Sequence, residues 1–411
     1  MEKHAENSAV PVTGRRWLYA GLGGLLLFFL GLIYTWSVFI PSLEKEFGWE
    51  RADATMPFSV LIAMFCLGCL TAGFVSRRLS GRLVVRVAAV ALGGGFALAA
   101  VSNNLVNMCL AYGVVVGLGA GLAYNTVLAT MVKWFPDRLG SVAGLMLMGL
   151  GCGSFFLSLG GSWLLEFLDW RKVFLLFGGL NFALFMGLSG YVVPPAANIL
   201  FPERRGLGKG ARKASESAGD LPTVQMVRRP AFLLFFAWAV VISSAGLALV
   251  GHAAPMAKGL GMSSAAVGFA AGLVSLFNGF GRSIFGACFD LFGRRMVMPT
   301  ASCGFVLAGV LLLLCLRSES ALLLNAALVL GGLCYGGVMP STSTVIGTFY
   351  GLKYYQQNLS VAMLSLLPAS FIGPYVAGML HSVSNSYFPT AVLLMVLGGL
   401  GLGLSLLIRR P

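Results

Sequence analysis

Apolar residues in this chain do not alternate or keep to one helical face. They fill runs of about twenty residues, set apart by short polar breaks, from one end to the other. A run of that length, wound as a helix, matches the hydrocarbon core of a bilayer, where the backbone must satisfy its own hydrogen bonds. The runs predict twelve spans, over 17–41, 54–76, 83–101, 106–131, 139–163, 171–192, 230–252, 264–288, 295–316, 321–347, 355–380 and 386–408. The expected fold is an all-α integral membrane protein. The longest interruption, 193–229, begins VVPPAANILFPERRGLGKGARKASESAGDLP, a proline-, glycine- and charge-rich linker between two groups of six spans. Residues 1–192 and 230–411 are the expected bundles. The opening MEKHAENSAVPVTGRRW enters the first run without a small-residue cleavage site, so that run is read as a retained span.

Composition agrees: 58% of residues are hydrophobic and 10% charged, against roughly 25% charged in soluble proteins. The net charge of +14 could point to nucleic acid, but its distribution does not. An even number of spans puts both termini on one side; that side holds 21 of the 28 basic residues and the other holds six. The positive-inside rule then places both termini in the cytoplasm, in a cell (inner or plasma) membrane, with no nucleic-acid partner. All eight cysteines fall inside predicted spans. Cys66 and Cys69 form a C-x-x-C within a helix of lipid-facing composition, and with no nearby histidine they are read as structural, not as a metal site. The runs GLGAG and GLGCG lack the strand and the acidic residue of a dinucleotide loop and are read as helix-packing positions, so no cofactor is expected.

The two groups of spans echo one another. GFVSRRLSGR begins at Gly73 after the second span, and GACFDLFGRR begins at Gly286 toward the end of the eighth. GLAYNTVLATMVKWF at 121 has a counterpart in GGVMPSTSTVIGTFY at 335, and SVAGL at 141 in SVAML at 360. GACFDLFGRR resembles the loop signature of the major facilitator superfamily, G-x-x-x-D-R-x-G-R-R, with Leu291 where the first arginine stands. Within that superfamily, GLIYTWSVFIPSLEKEFGW, AYNTVLATMVKWFPDRLGSVAGL and FNGFGRSIFGACFD are similar to the oxalate/formate antiporters and monocarboxylate transporters. The resemblance implies twelve transmembrane helices in two pseudo-symmetric six-helix bundles, transport by alternating access, and a chain that works as a monomer.

Charge then singles out one position. All 14 acidic residues lie in loops or within about a turn of a span end, which leaves Arg282 as the one clearly intramembrane charge. An arginine at a helix centre costs ~2.5–3.5 kcal/mol on insertion scales and needs a partner. Its side chain should lean toward the N-terminus of its helix, toward mid-bilayer. Asn278, one turn earlier, shares its face. A pair with Asp290 is disfavoured by ~12 Å along the axis, though a bond to free helix carbonyls is an alternative. An anionic cargo is the natural counter-ion, because a guanidinium grips a carboxylate through two parallel hydrogen bonds. Tyr34, Tyr124 and Tyr335 are buried phenols that could bond the substrate or a helix carbonyl. Asn125 and His252 are weaker candidates; His252 could be a gate, a proton site or interfacial.

The resemblance also implies an inner latch: Asp290 at the N-terminus of a neighbouring helix, with Gly286, Arg294, Arg295 and, in PERRGLGK, Glu203. The first copy has Arg77 in the aspartate position, so an asymmetric latch is expected. Oxalate exchangers of the family carry a lysine in the eleventh span, and NLSVAMLSLLPASFIGPY has none. The expected activity is therefore transport of a lactate- or pyruvate-sized monocarboxylate with protons. An oxalate/formate-type exchanger is the nearest alternative, and a transporter-like carboxylate sensor the alternative from another class. No His/Asp/Glu or Ser/His constellation stands at mid-depth, so an enzyme is not expected.

Overall fold

Each of the twelve apolar runs is helical. The computed structural model describes residues 10–11, 15–196, 199–200 and 220–409; Glu203 lies outside them. The first span is Arg15–Leu30, a 3-10 turn at Gly31–Tyr34, then Trp36–Phe47, and so runs past Pro41. Next come Arg51–Val75 and Gly81–Ala100. The fourth span joins Leu105–Met108, a π-helical stretch Cys109–Val116, and Gly117–Val132. Leu139–Leu164 and Trp170–Leu188 complete the first six. The second six are Pro230–Gly259, Ser264–Phe292, Arg294–Ser318, Ala321–Gly336 with Val338–Tyr350, Tyr355–Met363 with Leu366–Ser384, and Phe388–Leu407. Eleven helices are long and apolar enough to cross a membrane by length and composition. The eighth span is one continuous helix of 29 residues that carries Asn278, Arg282 and Asp290. One feature is not helical: Val10–Pro11 pairs with Ile199–Leu200 as a two-residue parallel ladder.

Two breaks have a proline as their cause. Pro340 offers no N–H to the carbonyl of Gly336 and its ring crowds that carbonyl. The tenth span accordingly breaks at Gly337, whose N–H turns back to Leu333 and Cys334 at 3.3 and 3.2 Å. Pro368 acts likewise on Leu364, where the eleventh span breaks between Met363 and Leu366. The signature after the eighth span is scarcely a loop. Gly293 alone links two helices at φ +71°, in the left-handed region that favours glycine. Asp290 is therefore helical, and Arg294 and Arg295 form the first turn of the ninth span.

Packing repeats the sequence echo. The first span packs on the fifth as the seventh does on the eleventh; the second on the fourth as the eighth on the tenth; the third on the sixth as the ninth on the twelfth. Across the halves, the fifth packs on the eighth and the second on the eleventh. Glycines allow this close approach: a Cβ on Gly286 would strike the Gly140 carbonyl, one on Gly144 the Arg282 carbonyl, and one on Gly73 the Ser360 hydroxyl. The cross-half hydrogen bonds among the described residues lie at mid-depth or toward the end that carries both termini, called here the basic end.

Candidate functional site

The eighth span carries two devices on one helix. At mid-depth, Arg282 is 8% exposed. Its Nη1 donates to the carbonyl of Leu147 on the fifth span at 3.0 Å, and its Nε is buried with no partner among the described residues. The Arg282 backbone lies beside Gly144, so reaching Leu147 carries the guanidinium about one turn toward mid-depth, in the direction helical side chains lean. Ion pairs among the described residues join Asp137 to Arg16 and Arg138, and Glu46 to Arg171; none holds Arg282.

Three phenols from three spans surround this charge. Tyr34 leaves the 3-10 turn of the first span, which is pressed against the fifth where Gly31 meets the backbone of Leu150–Ser154. Tyr124 is fully buried on the fourth span, packs tilted against the Phe65 ring with centroids 5.2 Å apart, and points its hydroxyl at Met339 Sδ, 4.0 Å away. Tyr335 stands on the tenth span one residue before Gly336, which abuts the carbonyl of Asn278 and, at 3.0 Å from its would-be Cβ, the N of Arg282. Arg282 lies close enough to Tyr34, Tyr124 and Tyr335 to act on them electrostatically. Asn278 is half-buried on the same helix face, with no side-chain hydrogen bond among the described residues.

The cysteines correct the sequence reading. Cys66 and Cys69 do not face lipid; they are 2% and 0% exposed. Cys66 neighbours Tyr34 electrostatically, Cys69 neighbours Tyr124, and Cys152 neighbours Arg282. A span that is apolar all round gives no periodic signal of which side faces protein. The thiols could have been found only by noting that Gly68 and Gly121, where the second and fourth spans touch, mark the interior side.

The structure does not bring His252 to this group. Its Nε2 faces the Pro374 carbonyl at 3.2 Å and its Nδ1 faces the Tyr387 hydroxyl at 3.5 Å, near the far end of the seventh span. The His381 ring lies on Tyr387, 4.2 Å between centroids.

Toward the basic end, Asp290 accepts from Gly140 N at 3.0 Å, Ser141 N at 2.6 Å and Ser141 Oγ at 2.7 Å. The two N–H groups are first-turn amides of the fifth span, unbonded within their own helix and at the positive end of its dipole, and the third donor is the Ser141 hydroxyl. Gly286 is the contact point that brings the two helices close enough. Arg294 donates to the Ile408 carbonyl after the twelfth span and lies over the Phe349 ring at 5.6 Å. Arg295 and Arg77 are exposed. Sequence reasoning missed the buried pair Arg16–Asp137, at 2.8 and 3.2 Å, which ties the first span to the turn before the fifth.

Comparison with known proteins matches the Major Facilitator Superfamily over residues 21–252 and 239–411. The chain is 27% identical over 351 residues to the uncharacterised MFS-type transporter YhjX of Escherichia coli K12, covering 85% of this chain and 84% of that one. It is 24% identical over 367 residues to the oxalate:formate antiporter of Oxalobacter formigenes (86% and 83% covered). It is 27% identical over 361 residues to rat monocarboxylate transporter 3 (85% and 71% covered). Among solved structures, the proton:xylose symporter XylE superposes with a TM-score of 0.71 at 16% identity, over 96% of this chain and 95% of that one.

Proposed function

The chain belongs to the major facilitator superfamily, and from that premise we infer that it carries small monocarboxylates across a cell membrane with Arg282 as the carboxylate ligand. It is a multi-pass membrane transporter and not an enzyme. The observation that carries the substrate class is the state of Arg282: a buried cation at mid-depth whose partner among the described residues is one main-chain carbonyl. A guanidinium has five donors, and a carboxylate can take two in parallel. At ~4 Å and an effective dielectric near 20 the attraction is ~4 kcal/mol, enough to offset much of the cost of burying both charges. Tyr34, Tyr335 and Asn278 supply neutral donors for the rest of a lactate-sized molecule.

A single cation favours a single carboxylate. The eleventh span supplies no lysine to balance a second one. The relative named as a monocarboxylate transporter agrees with this reading; the one named as an oxalate:formate antiporter supports exchange of a dicarboxylate instead. Moving a monoanion against a negative interior costs ~2.3 kcal/mol per 100 mV, so uptake is coupled to protons. The basic end faces the cytoplasm, both termini lie there, and residues 1–192 and 230–411 rock about the Arg282 group while 193–229 tethers them. With its cross-half hydrogen bonds at mid-depth and the basic end, the structure fits a carrier closed toward the cytoplasm. Purified protein in liposomes tests the substrate: labelled lactate should accumulate and an inward proton gradient should accelerate it. Uptake of oxalate without lactate would overturn the reading.

A further inference from the structure

We propose that the basic end carries a second lock besides Asp290: Gln356 holds the halves shut there, while the unpartnered amide of Gln357 favours their parting. The proposal rests on the chain working by alternating access. Gln356, 8% exposed in the first turn of the eleventh span, donates from Nε2 to the Ala72 carbonyl at 3.4 Å and to Thr126 Oγ1 at 3.3 Å. Both acceptors belong to the other half, on the second and fourth spans. The next residue along, Gly73, sits so close that a Cβ there would strike Ser360 Oγ and come within 3.1 Å of Gln357 Cα. The backbones meet and leave no room between them.

The same boundary contains a polar group with nothing to bond among the described residues. Gln357 is 5% exposed, and its Nε2 has no partner among them. Its Cα lies against Gly73 of the second span, on the same face of the eleventh span as Ser360 one turn on. A buried amide without a partner disfavours the closed state by a factor on the order of ten. Parting the halves lets water satisfy it. Gln356 works in the opposite sense, because parting breaks its two bonds.

The two copies of the repeated segment are thus locked by different chemistry. On one side the acid Asp290 of the eighth span accepts from amides of the fifth. On the other the amide Gln356 of the eleventh span donates to a carbonyl of the second. Arg77, which occupies the aspartate's place in the first copy, is exposed and has no side-chain hydrogen bond among the described residues. The lock has moved to the partner helix.

The test measures separation of the basic ends directly. Spin labels go on Arg77→Cys and Lys353→Cys, both exposed and on opposite halves, with exposed Cys303 and half-buried Cys109, Cys152 and Cys288 replaced by serine to remove background sites. Distances are read by pulsed electron resonance in nanodiscs without substrate. Gln356→Ala should raise the ratio of separated to closed molecules about 5- to 10-fold. Gln357→Leu should lower it by a similar factor, read in an Asp290→Asn background where the separated state is populated. Gln357→Met is the second variant with the same expected sign, should Gln357→Leu fail to fold. No shift in Gln356→Ala, or a rise in either Gln357 variant, overturns the proposal. The measurement needs no carboxylate, so a failure of lactate uptake leaves it standing and its own failure leaves the substrate reading standing.

Discussion

Asp290 offers the most direct test of how the basic end stays closed. Among the described residues its carboxylate accepts three bonds, at 3.0, 2.6 and 2.7 Å, from Gly140 and Ser141. In Asp290→Asn one oxygen becomes an NH2 group, which cannot accept, so at least one of those donors loses its partner. That loss costs ~1–3 kcal/mol, and the attraction between the anion and the helix N-terminus, ~0.3–1 kcal/mol, goes with it. The sum is ~1.3–4 kcal/mol, which moves the balance toward inward opening by roughly 10- to 1,000-fold. Thr344, fully buried in the closed end beside Gly140, is the reporter. Its cysteine variant should react with a water-soluble maleimide faster by that factor when Asp290→Asn is added. Arg77→Gln should change the rate by less than about twofold, since the Arg77 side chain is exposed and makes no hydrogen bond among the described residues. An unchanged rate in Asp290→Asn, or an equal rise in Arg77→Gln, refutes the reasoning.

Further outcomes concern the charge at mid-depth and one structural pair. Arg282→Gln should weaken lactate binding by at least about 30-fold, and Arg282→Lys by less, as a point charge keeps the attraction but not the paired geometry; calorimetry on purified protein measures both. Cys152, half-buried next to Arg282, should be modified by a negatively charged methanethiosulfonate, and lactate should slow the reaction; indifference to lactate would place the substrate elsewhere. Arg16→Ala leaves the buried carboxylate of Asp137 with only the longer Arg138 contact at 3.9 Å and should cost ~1–3 kcal/mol, seen as a lower melting temperature, whereas Arg16→Met with Asp137→Leu should recover most of it.

Much of this was legible in the chain. The runs of apolar residues fixed the spans, because lipid tolerates little else. The scarcity of acids in those runs isolated Arg282, and helix geometry gave the lean of its side chain. The echo of Gly73 in Gly286 foretold matched helix pairs. The breaks in the tenth and eleventh spans were not foreseen: hydropathy ran straight through both, although Pro340 and Pro368 stand just after them. What the sequence left open was which side of each helix faces protein. Lipid and protein interior are alike apolar, so Cys66 and Cys69 carry no mark distinguishing them from lipid-facing residues. The bonds that join distant spans were equally hidden. Asp290 to Ser141, Arg16 to Asp137 and Gln356 to Ala72 each link residues more than a hundred positions apart. Local pattern sets the helices; only their packing decides which free amide meets which free carbonyl.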